Sequence, residues 1–437
     1  MIEYRSLRVG LLGCGSVGSQ VARLLLEHGE ELAQRIGARI ELVGIAVRDV
    51  TASRDAELPT ELFTTDARDL ILRSDIVIEL MGGIEPARSL VLAAIASGAD
   101  VVTGNKALLA QHGPELFAAA EQVGAQLSYE AAVGGAIPII RPLRESLAGD
   151  RVERILGVVN GTTNYILDRM DTTGASLGDA LAAATALGYA EADPTADIGG
   201  YDAAQKAAIL ASIAFHTSVP VDAVYREGIT EVTSAQIESA KRAGYVVKLL
   251  AICERLTDPV TGQEGVSARV YPALVARGHP LAAVHGANNA VFVEAAAAGP
   301  LMFYGAGAGG VQTASAVLGD LVAIARRHVI GGPGTAESIR AELPMFPIGR
   351  IRTRYSISFD VADEPGVLAT VAQFFAQHRV SVEQLQQTVS EETGRATLVI
   401  GTHEAEESAL ADTTAALAAS SVVTSSVSVL RIEGAVS

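Results

Sequence analysis

The feature that most constrains this chain is a six-residue turn, Gly13-Cys14-Gly15-Ser16-Val17-Gly18. It closes a short apolar run, Leu7 to Leu12, and opens a helical pattern from Val17 to about Gln34. The first glycine permits the tight turn, the second lets another group touch the backbone, and the third lets helix and strand pack closely. The helix N-terminus then presents unpaired N–H groups and a positive dipole end to an anion. Strand, turn and helix in this order point to the pyrophosphate of a dinucleotide, with Gly13, Gly15, Ser16, Val17 and Gly18 as its cradle.

Further short apolar runs follow at Ile40–Val47, Ile76–Leu80 and Val101–Val102, each leading into a helical stretch. Short buried strands alternating with helices predict an α/β unit with a parallel sheet covered on both faces, at about residues 1–130. The second strand runs into Val47-Arg48-Asp49. An acidic residue there holds the ribose hydroxyl of NAD, whereas Arg48 is suited to a 2′-phosphate. NADP is therefore the expected cofactor, with NAD as the alternative.

At 437 residues the chain exceeds one hydrophobic core, and two to four domains are expected. With 49% hydrophobic and 19% charged residues, little of it suits disorder. A net charge of −17 argues against nucleic acid or an anionic membrane as partner. Two cysteines, Cys14 and Cys253, make no disulfide framework and fit a reducing compartment. No apolar run reaches membrane-spanning length and no signal-peptide layout is read at the start, so a cytoplasmic location is expected.

From about Ala131 the pattern is mixed. Helices are predicted at Thr162–Met170, Leu177–Leu187, Tyr201–Phe215 and Thr313–His328, and strands at Tyr245–Cys253, Gly265–Tyr271 and Ala290–Ala295. Four segments are richer in polar residues and glycine than packing requires. They are Thr103-Gly104-Asn105-Lys106, Ser128 to Pro138, Asn160 to Tyr165 (where Thr162 could cap a helix), and Leu187 to Lys206. In the last, Asp202 and Lys206 lie four apart and share a helix face. Small apolar neighbours (Ala203, Ala204, Ala207, Ala208) give that lysine little screening. A partly desolvated lysine can exchange a proton near neutral pH.

These four segments, following a dinucleotide turn, resemble the homoserine dehydrogenase family over about residues 5–330. Such enzymes interconvert aspartate semialdehyde and homoserine with NAD(P)H. The resemblance implies that Lys206 gives the proton to the aldehyde oxygen, with Asp202 beside it and Lys106 at the nicotinamide end of the cofactor. It implies that Glu191 holds the substrate's amino group with help from Asp197. Gly161, Thr162 and Tyr189 complete the substrate contacts, and Thr103, Gly188 and Gly309 those of the cofactor. Glu130, Val133, Gly135 and Ile137 match a monovalent-cation site (Na or K), and Gly305 to Gly310 a segment returning to the cofactor. A homodimer or homotetramer is expected.

Gly331-Gly332-Pro333-Gly334, then Pro344 and Pro347, read as a linker over 331–350. After it the order β-α-β-β-α-β predicts a ferredoxin-like unit at 351–437. Asp363-Glu364-Pro365-Gly366-Val367-Leu368 looks like the effector turn of ACT domains, with Asp363, Gly366, Val367 and Leu368 as contacts and Gln384 to Gln387 as additional ones. The resemblance implies threonine as effector, with isoleucine as the alternative, and truncation near Gly349 is expected to remove inhibition and keep activity. The expected architecture is thus a Rossmann-type domain (1–130, completed by about 305–330), an α+β catalytic and dimerisation domain (131–304) and an ACT domain. An ACT-bearing hydroxy-acid dehydrogenase is disfavoured, because none of the eight histidines sits in a strand-end motif. A catalytically dead sensor would not need Lys106, Glu191, Asp202 and Lys206 together, and no residues remain for a fused kinase.

Overall fold

In the first 130 residues, successive apolar side chains of each strand point to opposite faces, and each face finds helices to bury it. The computed structural model describes residues 6–54, 56–331, 341–390 and 395–433. Strands β1 (Ser6–Leu12), β2 (Arg39–Ala46), β3 (Phe63–Thr64), β4 (Ile76–Glu79), β5 (Asp100–Thr103) and β6 (Leu127–Ser128) form one sheet in the order 3-2-1-4-5-6. All its pairings are parallel. This is the doubly wound order whose direction reverses beside β1, where dinucleotides bind. The helices are α1 (Ser16–Glu27), α2 (Gly29–Ile36), α3 (Ala67–Leu72), α4 (Ala87–Ala96) and α5 (Lys106–Val123). The single helix predicted from Val17 to Gln34 is thus two, broken at His28-Gly29, where glycine weakens helix continuity.

Downstream come β7 (Val152–Val158), α6 (Gly161–Thr173), α7 (Leu177–Ala186), α8 (Thr195–Ile198), α9 (Tyr201–Phe215), β8 (Tyr225–Arg226), α10 (Ser234–Arg242), β9 (Tyr245–Thr257) and β10 (Glu264–Ala276). A hairpin of β11 (Asn288–Ala295) and β12 (Gly299–Ala306) follows, then α11 (Gly310–Ile330). The predicted glycine cluster at 305–310 is therefore the end of β12 plus the start of α11. Strand β12 itself was not legible, because its glycines and proline mask a run that pairs at the edge of the hairpin. Helix α11 rejoins the first sheet: Val317, Leu321 and Ile324 share one core with Val9 and Leu11 of β1 and Val21 and Leu25 of α1.

The C-terminal part comprises β13 (Arg352–Ala362), α12 (Val367–Gln377), β14 (Val382–Ser390), β15 (Arg395–Thr402), β16 (Ala405–Glu406), α13 (Glu407–Ala418) and β17 (Ser428–Glu433). Apart from the two-residue β16, the order is the predicted β-α-β-β-α-β. The last strand begins only at Ser428, because Thr424 N–H bonds Asp360 O and Ser425 Oγ accepts from Asp360 N–H, satisfying the backbone outside the ladder.

By contact density the chain divides into one unit of residues 1–155, 205–223 and 288–342 and a second of 156–204, 224–287 and 343–437. Within the second, strands run β9-β10-β17-β13-β15-β14. Strand β17 pairs in parallel with β10, setting Arg431 opposite Ala273 and Glu433 opposite Val275. Pro344 to Phe346 also lie on β10, through Val266 N–H to Pro344 O (2.9 Å) and Phe346 N–H to Val266 O (2.8 Å). Of the expected linker, Gly332, Pro333 and Gly334 lie outside the described residues, and its latter part is bonded to a strand instead of running free. A cut near Gly349 would strip β17 from β10, so truncation is a poor way to isolate regulation.

Candidate active site

The glycine turn is built as its residue types require. Gly13 has φ +97° and donates to Ala46 O at 2.9 Å, tying the turn to the end of β2. A Cβ at Gly18 would lie 2.3 Å from Gly13 O, so only glycine lets α1 sit this close to β1. At Gly15, the N-cap of α1, a Cβ would meet nothing within 4 Å. The outer side of the turn is open while its inner side is closed, a cradle for a pyrophosphate. Gly310, at the start of α11, packs so tightly on Ser16 that a Cβ would come 2.8 Å from both its oxygens. This brings the 305–310 segment, with Gly309 as the N-cap of α11, to the same turn.

Beyond β2, Asp49 accepts from Thr51 N–H (2.8 Å) and Thr51 Oγ1 (2.7 Å), and these bonds hold its carboxyl below the usual range. Arg48 is exposed. Thr103 ends β5 and is fully buried; its hydroxyl donates to Glu79 Oε2 at 2.6 Å. Asn105 caps α5 by accepting from Leu108 N–H, which makes Lys106 the first residue of that helix.

Ser128 to Pro138 forms a compact bend in the first unit. Gly134 and Gly135 have positive φ, and a Cβ on Gly135 would lie 2.6 Å from Gly307 O. Glu130 is 1% exposed, and its carboxylate accepts from Ile139, Ile140 and Arg141 N–H at 2.5, 2.7 and 2.9 Å. With Arg141 Nε also on it at 3.2 Å, that carboxylate is committed to N–H donors. Any cation held by Glu130, Val133, Gly135 and Ile137 would rest on their backbone oxygens. Among the described residues there is no cluster of three His, Cys, Asp or Glu suited to a metal.

In the second unit, Asn160 organises the polar residues. It caps α6 by accepting from Thr163 N–H (2.8 Å), so the cap is Asn160 and not Thr162. Its Nδ2 donates to Asp197 Oδ1 at 2.7 Å and to Asp202 Oδ2 at 3.0 Å. Gly161 and Thr162 thereby begin a helix whose first N–H groups lack intrahelical acceptors. Thr162 Oγ1 donates to Tyr189 O (2.6 Å), and Tyr189 packs on Tyr165 with ring centroids 5.1 Å apart. Gly188 takes φ +75° to make this bend, and Glu191 beyond it is exposed. Asp202 lies in the first turn of α9 and is 7% exposed; Lys206, one turn on along the same helix and assigned to the first unit, is 8% exposed.

At the other end of this unit, a cavity of about 280 Å³ is lined by Asp363, Val367, Leu368 and Gln387. Gln387 Nε2 donates to Asp363 Oδ1 at 3.1 Å, and Gly366 caps α12 at φ +95°. Gln387 is the glutamine that reaches the turn.

Comparison with known proteins decides the family. The homoserine dehydrogenase NAD-binding domain model matches residues 13–130, the homoserine dehydrogenase model 138–322 and the ACT domain model 355–420. A homoserine dehydrogenase of Mycobacterium tuberculosis is 57% identical over 99% of both chains. A crystal structure of a homoserine dehydrogenase from Thiobacillus denitrificans superposes with a TM-score of 0.90 at 38% identity, covering 99% of each chain. The chain belongs to the homoserine dehydrogenase family. It is accordingly an NAD(P)-dependent oxidoreductase with a C-terminal ACT domain. A hyperthermophilic archaeal homoserine dehydrogenase in complex with NADPH also matches, at TM-score 0.62 and 28% identity over 75% of this chain and 99% of that one.

Two further buried groups support these elements, and the sequence alone carries little sign of them. Glu79, fully buried at the end of β4, accepts from Met81 N–H (2.8 Å) and from Thr103, fixing the loop beside the turn. Its only sequence signal is a carboxylate ending an apolar run. Lys248, 2% exposed in β9, donates to Asn164 Oδ1 (2.9 Å) and Val284 O (2.6 Å), propping α6. Burial pushes its pKa down to about 8. A lysine inside the run Tyr245–Cys253 was its trace.

Asp320 of α11 yields a pH prediction. One carboxylate oxygen accepts from Glu130 N–H (2.7 Å); the other has no hydrogen-bond partner and lies 3.5 Å from Arg141 Nε. Burial raises its pKa to about 7. The unfolded chain binds fewer protons at this site between about pH 4 and pH 7. The group's contribution is therefore greatest below about pH 4 and is lost as pH rises through 7, by up to about 4 kcal/mol. Asp320→Asn should flatten the fall in melting temperature between pH 5 and pH 8; an unchanged slope would refute this assignment.

Proposed function

We propose that the protein reduces L-aspartate 4-semialdehyde to L-homoserine with NADPH, and runs the reverse, on the route to threonine, methionine and isoleucine. The observation that carries this reading is the gathering of Asp197 and Asp202 by Asn160 at the N-terminus of α6, with Lys206 one helical turn beyond Asp202. Aspartate semialdehyde carries an ammonium, a carboxylate and an aldehyde, and this set meets each of them.

The nicotinamide supplies the hydride from its C4. As the carbonyl carbon accepts it, the oxygen becomes an alkoxide, and Lys206 gives that oxygen its proton, yielding the alcohol. Asp202 stands one turn before that lysine on the same helix. Lys106, which opens α5, is assigned to the nicotinamide end of the cofactor. Glu191, exposed and so free to close on a ligand, takes the ammonium with Asp197, and the N–H groups of Gly161 and Thr162 take the carboxylate. The open face at Gly15 suits a pyrophosphate. Arg48 suits a 2′-phosphate, because Asp49 is already engaged by Thr51. A sodium or potassium ion on the oxygens of Glu130, Val133, Gly135 and Ile137 would stiffen the bend that meets Gly307. A homodimer or homotetramer in the cytoplasm is the expected form; no helix among the described residues is long and apolar enough to cross a membrane.

The test is an assay of the purified protein with aspartate semialdehyde against NADPH and NADH, each with and without threonine. Aldehyde-dependent oxidation faster with NADPH supports the reading, and none with either cofactor overturns it.

Threonine regulation rests on the cavity at Asp363, Gly366, Val367 and Leu368. The N-terminus of α12 would take the effector's carboxylate and Asp363 its ammonium. Asp363→Ala should weaken threonine inhibition about tenfold, as expected for a lost charge-assisted hydrogen bond, while turnover without threonine stays unchanged. Equal inhibition of both proteins would remove threonine from this cavity.

A further inference from the structure

The turn 198–201 that delivers Asp197 and Asp202 is gripped from outside by residues with no part in the proposed chemistry. Arg226, in the two-residue strand β8, donates through Nη1 to Gly199 O and lays its guanidinium over the Tyr201 ring at 3.5 Å. Ile229 N–H donates to Ile198 O at 2.8 Å, and a Cβ on Gly228 would fall 2.2 Å from that oxygen. The segment 226–229 thus fits the turn without spare room.

That segment is itself anchored twice. Its Glu227 N–H donates to Val270 O of β10 (2.8 Å). The Glu227 carboxylate receives both guanidinium arms of Arg431, at 2.8 and 3.0 Å. Arg431 belongs to β17, the last strand of the C-terminal domain, and is 8% exposed. Its Nε donates to Glu407 at 2.6 Å, and Glu407 also accepts from Tyr355 of β13 at 2.8 Å. A two-pronged arginine–carboxylate pair fixes both distance and angle, unlike a lone charge contact.

We propose that Arg226 and Glu227 are positioning residues for the substrate turn, and that Arg431 of the ACT domain sets their placement. The inference rests on the reading of Asp197 and Asp202 as substrate-side groups. Neither arginine touches substrate; each acts through the backbone of 198–201. Strand β13 runs from Tyr355, bonded into this cluster, to Ala362 at the edge of the effector cavity. A shift of β13 and β17 on effector binding would therefore reach the turn through one clamped pair.

The experiment compares Glu227→Ala and Glu227→Gln with the parent in the full chain. It measures KM for aspartate semialdehyde, the dissociation constant for NADPH and the melting temperature. Loss of the clamp should raise the aldehyde KM roughly 3- to 30-fold and leave NADPH binding within twofold, with Glu227→Gln recovering part of the loss. An unchanged aldehyde KM, or equal losses for aldehyde and NADPH, overturns the proposal. Should Glu227→Ala fail to fold, Arg226→Lys, which keeps charge and stem but not the ring stacking, gives the same readout. Asp197→Asn run in parallel separates the two readings. If it leaves the aldehyde KM unchanged, the substrate assignment fails; if it raises that KM while the clamp variants do not, only the positioning role fails.

Discussion

Replacing Lys206 with methionine is expected to cut turnover by about 10²- to 10⁴-fold, the range that a positioned acid or base contributes. Methionine matches the length of the lysine stem, so the packing of α9, where Ala203, Ala207 and Leu210 are buried, should persist. What disappears is the proton that the proposed mechanism delivers to the alkoxide. Cofactor affinity should stay within a few-fold if, as proposed, the group acts on the aldehyde oxygen. Lys106→Met should behave differently, weakening cofactor binding together with turnover. Steady-state kinetics with direct titration of NADPH separates the two. A Lys206→Met enzyme turning over within threefold of the parent would end the case for this lysine as proton donor.

The second large effect is expected at the glycine turn, where two glycines do different work. Gly15→Val introduces a side chain into open space at ordinary φ, so the apoprotein should melt within about 2 °C of the parent, as for a surface substitution without packing consequences. Yet on the proposed reading that space admits a pyrophosphate to the backbone, and NADPH affinity should fall at least about 100-fold. Gly18→Ala should do the reverse in order of severity. Its methyl meets Gly13 O at 2.3 Å, forcing α1 off β1 and destabilising the domain by about 1–3 kcal/mol. Calorimetry on both apoproteins, with NADPH titration, reads the distinction. If Gly15→Val binds NADPH normally, the turn is not the phosphate site.

Much of this was legible because local chemistry and fold agree. The glycine spacing announces strand, turn and helix, and the parallel strands read as short apolar runs because both faces are buried. The polar richness of 187–206 was legible because packing alone would not select it, and Asn160 does gather Asp197 and Asp202 of that segment. What stayed hidden depends on partners distant in sequence. Strand β12 exists through its pairing with β11, and Glu79 matters because Thr103 of a neighbouring strand meets it. Arg226 and Glu227 carry no signal in their local sequence, and their place shows only once Gly199 and Arg431 stand beside them. The β10–β17 pairing, which bears on any cut near Gly349, has no local signature either.

The return of α11 to the first sheet bears on how the chain is made. Val317, Leu321 and Ile324 belong to the same core as β1 and α1, so that core lacks one wall until residues beyond about 325 leave the ribosome. At roughly 5–20 residues per second the wait after residue 130 is about 10–40 s. Through that interval the apolar side of β1 and α1 must be shielded by something else. Nascent chains stalled before and after α11 should therefore differ sharply in protease resistance and in their demand for chaperones.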